Sequence, residues 1–201
     1  MLGVVCTLSP QHRVMAMAEA VDIARYLIKL AATEAEPEYL SHMRLQKLLY
    51  YIQAWSLVAK EKPAFESPIE AWIHGPVVRR VYPVFAGYGD SPISFHEASS
   101  EGLDSEMKNL VASIWQGYKN FSAVALRQKT HGEKPWLEAR GNNAPDQASD
   151  AEINLTTMRQ FFEAEYDKQA MPGLELETLR QAERDFAEGR TVTLEELKKV
   201  I

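Results

Sequence analysis

"SHMRLQKLLYYIQAWSLVAKE", residues 41–61, decides the fold. Ser41 is a helix cap, and Leu45, Leu48, Leu49, Ile52, Trp55 and Val58 then recur at helical spacing to form one broad apolar stripe. A long face of that kind packs inward, so Trp55 is a core residue. Upstream, "MAEAVDIARYLIKLAAT" places Ala20, Ile23, Ala24, Leu27, Leu30 and Ala31 on one face of another amphipathic helix, which Pro37 prevents from continuing. Downstream, "IEAWI" is too short for a helix before Gly75 and alternates like a brief strand. "GPVVRRVYPVFAGYG" then reads as a strand-to-helix corner. Pro76 sits in a first helical turn, Val77, Val81, Tyr82 and Phe85 follow on the helix, and Pro83 kinks or ends it.

Helices dominate the remainder. A second short strand is expected around residues 93–96. A helix over 105–119 turns Met107, Leu110, Val111, Ile114 and Tyr118 inward; Ser122 caps a short helix through Lys129, and Pro135 opens another turn in "KPWLEAR". "NLTTMRQFFEAEYDKQ" supplies a closing helix with Leu155, Met158, Phe161 and Phe162 toward the core. The fold class is mainly α: a compact helical domain with a small two- or three-stranded sheet, plus a C-terminal helical extension. Residues 1–16 read as a flexible leader, with Met15 and Met17 as alternative starts, 17–171 as the domain, and 172–201 as an amphipathic extension opened by the Pro172-Gly173 break.

With 201 residues, 46% of them hydrophobic and 25% charged, the chain suits one globular domain with an appendage. Its 22 Lys+Arg against 28 Asp+Glu give a net charge of -6, which argues against nucleic acid as a partner. The single cysteine, Cys6, can form no internal disulfide and indicates a cytoplasmic location. No stretch has the length of a membrane span, and the opening residues lack a secretory pattern.

Catalytic and metal motifs are weak. The histidines at 12, 42, 74, 96 and 131 have no metal-binding spacing, and no phosphate loop, nucleophile elbow or dinucleotide fingerprint occurs, so no metal or cofactor is expected. "KTHGEKPW", residues 129–136, is the densest polar cluster. His131 and Glu133 could form a base and its orienter. The favoured reading has Thr130 and His131 bonding the ends of two short helices while Trp136 anchors the turn in the core. In "EAWIHGPVVRRVY", residues 70–82, Trp72, Gly75, Pro76 and Tyr82 build a corner, with Trp72 and Tyr82 as core anchors. His74 and the arginines Arg79 and Arg80 are its exposed contacts for a protein partner.

Together, "MRLQKLLYYIQAWSLV", "FESPIEAWIHGPVVRRVYPVFAGYG" and "RQKTHGEKPWLEAR", in this order and spacing, resemble the Panacea domain, the SocA-like antitoxin family that includes phage-associated GepA-like proteins. The resemblance runs over residues 19–169. Pro83 departs from the family pattern, which has a helix former there. The resemblance implies a helical domain that neutralises a cognate protein toxin by direct binding, the toxin being encoded next door, and in some members presents it to an ATP-dependent protease.

"ERDFAEGRTVTLEELKK" is similar to the closing segment of small addiction-module antitoxins. Leu176, Leu179, Phe186, Val192, Leu194 and Leu197 would lay an apolar face into a groove on the toxin, with Glu195 and Glu196 meeting a basic surface. Packing of this tail on its own domain, or in a homodimer, is the competing expectation. The function expected is that of a type II antitoxin. Alternatives are a proteolytic adaptor or phage-associated interaction protein without a toxin, and a hydrolase using His131 or His74.

Overall fold

The computed structural model describes residues 17–167 except Pro145. The expected leader and C-terminal extension, with Leu176, Leu179, Phe186, Val192, Leu194, Glu195, Glu196 and Leu197, lie outside the described residues. Within them run α1 (Ala20–Ala32), α2 (His42–Ala59), the strands β1 (Ile69–Trp72) and β2 (Gly75–Val78), then α3 (Tyr82–Phe85), α4 (Ser105–Tyr118), α5 (Ala123–His131), α6 (Lys134–Arg140) and α7 (Leu155–Asp167). The architecture is mainly helical with one small antiparallel sheet.

α2 is the axis. Ser41 caps it, its hydroxyl accepting from the Arg44 N–H at 3.3 Å. Every residue of the helix except Met43 is buried, because α1, α3, α4, α5, α7 and β2 surround it. The apolar stripe therefore describes only half of the burial. On the other faces Tyr50, Tyr51 and several polar side chains are enclosed too. Tyr51 stacks on Tyr118 of α4 at 4.1 Å, and Phe162 of α7 meets Trp55, Tyr50 and Tyr51 edge-on.

The buried polar groups of α2 tie the irregular segments to it. Gln53 accepts from the Ala64 and Phe65 N–H groups and donates to the Phe65 carbonyl, which fixes the loop before β1. Gln46 accepts from the Val78 N–H at 2.8 Å, and the Lys47 ammonium donates to the Pro76 carbonyl at 3.0 Å. These two bonds occupy the edge of β2 with helix side chains. On the other side, Ala71 N–H donates to the Ala151 carbonyl and Ile153 N–H to the Ile69 carbonyl, so a third extended segment flanks β1.

Several expectations need correction. Residues 75–78 form a strand paired to β1, not the start of a helix: the Ile73-His74 turn and Gly75 at φ +92° reverse the chain, and the β-branched Val77 and Val78 suit the pleat. Pro76 is tolerated because β2 is an edge strand, where a missing ladder donor costs little. Pro83 stands in the first turn of α3 instead of interrupting a longer helix. Residues 95–97 make a 3₁₀ turn, whose opening N–H is met by the Ser94 hydroxyl, in place of a second strand. Leu155 is exposed at the first turn of α7, whereas Met158 and Phe162 are buried. On α1, Ile28 is fully buried in place of Leu30.

Candidate functional site

The three stretches that carry the resemblance meet at the hairpin. Gly75 lies so close to α2 and α5 that a methyl group there would stand 2.7 Å from Lys47 Cε and 2.9 Å from Thr130 Oγ1. Trp136 of α6 donates its indole N–H to the Trp72 carbonyl at 3.1 Å, and Arg140 donates to the Ala71 carbonyl at 3.3 Å while lying over the Trp136 ring. Pro135 in the first turn of α6 sets the angle at which Trp136 enters. The hairpin is thus held from behind by buried groups and presents its other side outward.

That outer side is aromatic and charged. Glu70, nearly buried, accepts from the Trp72 indole at 2.6 Å and from Arg79 at 3.1 and 3.2 Å. Trp72 and Tyr82 lie with ring centroids 4.7 Å apart, and His42 lies the same distance beyond Tyr82. Trp72 is only half-buried and Tyr82 is 37% exposed, so these two are a surface platform and not the core anchors expected. The reason is that α3 begins at Tyr82 with the chain already past the sheet. His74 is exposed at the turn, and Arg79 and Arg80 are exposed with their ion-pair partners at Glu70 and Glu19 respectively.

The "KTHGEKPW" cluster divides between inside and outside. Thr130 is buried and donates to the Arg127 carbonyl within the last turn of α5. His131 does not bond a helix end: its ring stacks on Trp136 at 4.2 Å and Nε2 is buried without a hydrogen-bond partner. Trp136 is buried as expected. Glu133 turns into the core, accepting from Tyr51 OH at 3.0 Å with Lys129 Nζ at 3.6 Å, so it does not orient His131 as a base.

Burial governs the electrostatics. It pulls the Lys47 ammonium down to about 7, helped by the nearby Arg127 charge. His131 is pulled down to about 4 by burial and then by Arg127, Lys47, Arg140 and His74. Burial pushes the Glu133 carboxyl up to about 7 against the opposing pull of Lys129, Tyr50 and Tyr51. Tyr50 and Tyr51 are raised by burial and by the Glu133 charge.

Glu133 makes a pH test. Its folded form holds a proton more tightly than the ordinary carboxyl at 4.5, so its contribution is fully present below that value and is lost as pH rises through about 7. Glu133→Gln cannot ionise. Its stability relative to the native chain should therefore rise between pH 4.5 and 7, by at most about 3 kcal/mol. Urea midpoints of the two proteins across that range measure it; parallel curves would show that Glu133 does not titrate as its burial demands.

Lys47, Gln46, Glu70 and Arg140 were not singled out in the sequence, and Glu133 only as a partner of His131. The available signal was that residues 48–59 contain no charged residue, which marks a helix buried all round whose polar members must bond inside. Among the described residues no group of three His, Cys, Asp or Glu side chains is arranged to hold a metal, and no helix is long and apolar enough to cross a membrane.

No curated protein and no solved structure matches the chain. A family model does match, that of the antitoxin SocA-like, Panacea domain, over residues 45–137, a narrower span than the motifs suggested. It begins in α2 and ends in α6, and so takes in the hairpin together with α2 and α5, whose Lys47 and Thr130 crowd Gly75. Residues 45–137 of this chain are thus similar to the antitoxin SocA-like, Panacea domain family.

Proposed function

We propose that the chain is the antitoxin of a type II toxin–antitoxin pair, acting in the cytoplasm by binding a cognate protein toxin directly and not by catalysis. The observation that carries this reading is the Panacea domain itself. The surface best suited to the contact is the outer face of the hairpin, where Trp72, His74, Arg79 and Tyr82 are presented on backbone fixed from behind by Lys47, Gln46 and Trp136. Aromatic and arginine side chains on a rigid support are the usual energetic centres of protein interfaces. The extension at 172–201 is proposed as a second contact, its apolar residues from Leu176 to Leu197 entering a groove on the toxin.

Tyr82→Ser tests the face. Tyr82 is partly exposed, so the fold should be little affected, while toxin affinity should fall at least about tenfold, the loss of roughly 1.4 kcal/mol expected of a central aromatic contact. Co-purification and calorimetry with the toxic product of an adjacent gene measure this. Unchanged affinity would remove the hairpin face from the interface. A chain ending at residue 171 tests the extension: neutralisation lost with an unchanged melting curve supports a toxin contact, and a lowered melting temperature assigns the tail to its own domain instead.

A further inference from the structure

The protein is acidic overall, with a net charge of -6, yet cations without counter-charge gather where the hairpin meets α5. Lys47 is 1% exposed, and its ammonium is set against the Pro76 carbonyl. Thr130 and the Lys47 side chain both crowd Gly75, and Thr130 Oγ1 donates to the carbonyl of Arg127, so these four residues share one corner. Among the described residues no carboxylate pairs with Lys47 or Arg127. Glu133, the acidic residue of this region, is already engaged by Tyr51 and Lys129.

Two enclosed nitrogens stand unpaired beside these charges. Arg127 Nε and His131 Nε2 are both enclosed and lack hydrogen-bond partners. The stack on Trp136 fixes the His131 ring and so fixes the direction of Nε2. Buried donors are nearly always satisfied, and a buried cation beside another of the same sign is costly unless an anion joins them. A guanidinium, an imidazole and an ammonium are side-chain groups that recognise a tetrahedral oxyanion.

We propose that the corner between the Gly75 turn and α5 is a binding site for a phosphate-class oxyanion, held by Arg127 and His131 with the Lys47 charge behind them. His74 is exposed at the hairpin turn. The anion is either free phosphate or the terminal phosphate of a nucleoside diphosphate.

The test uses the full chain. Inorganic phosphate is titrated against chloride at equal ionic strength while the His131 ring resonances and the melting temperature are followed. The expected result is a saturable shift of His131 and a rise in melting temperature that chloride does not give. In Arg127→Gln the phosphate affinity should fall at least tenfold, although the melting temperature without phosphate stays equal to or above that of the native chain, because a charge repelling Lys47 is gone. No saturable response in the native chain, or an undiminished one in Arg127→Gln, overturns the proposal. A nucleoside diphosphate binding at least tenfold more tightly than phosphate assigns the site to nucleotides; equal binding assigns it to phosphate alone.

Discussion

Gly75→Ala is expected to lower stability by about 4 kcal/mol, two contributions of about 1–3 kcal/mol each adding at one atom. The first is backbone strain, because Gly75 holds φ at +92°, which side-chain-bearing residues rarely adopt. The second is overpacking against Lys47 Cε and Thr130 Oγ1. A long side chain on a surface would swing aside; Lys47 is buried and tied to the Pro76 carbonyl, so it has no free direction. Urea denaturation measures the loss. A change below about 1 kcal/mol would mean that the turn relaxes and that the hairpin is not clamped as described.

Trp55→Ala should cost about 3–5 kcal/mol, the usual penalty for truncating a fully buried aromatic. Trp55 is 1% exposed, packs edge-on against Phe162, and donates its indole N–H to Tyr118 OH at 3.0 Å. Its removal leaves a void between α2, α4 and α7, and deprives a buried hydroxyl of its donor. Those helices are the three that enclose the aromatic centre, so the loss should appear as one cooperative shift of the whole unfolding curve. A separate early transition confined to α7 would contradict the single core.

The helices were largely legible because their apolar residues repeat with the helical period and their ends carry recognisable signals. Ser41 and Ser122 cap α2 and α5 as read, and Pro135 opens α6. The helix boundary at 105–119 holds to within a residue, although its cap, Asp104, was not named. What periodicity could not show was the burial of the other faces of α2. Lys47 and Gln46 look like a polar face in isolation, and become interior only once β2 and α5 cover them.

The hairpin was misread for a related reason. Glycine followed by proline signals a helix start locally, and the two-residue turn Ile73-His74 between Trp72 and Gly75 carries none of the Asn-Gly or Asp-Gly chemistry that marks a tight hairpin. The same error put Trp72 and Tyr82 in the core, when the tight turn leaves them on the surface. His74, Arg79 and Arg80 were read as exposed, and are; the ion pairs of the arginines with Glu70 and Glu19 depend on contacts distant in sequence.

The most direct test of the central claim is growth of cells producing the toxic product of an adjacent gene, with and without the full chain, followed by co-purification on the tagged chain. The account predicts arrest with the toxin alone, recovery when both are made, and a complex of defined stoichiometry that weakens with Tyr82→Ser. Recovery without any complex, or a neighbouring product that never arrests growth and never binds, would contradict neutralisation by direct binding.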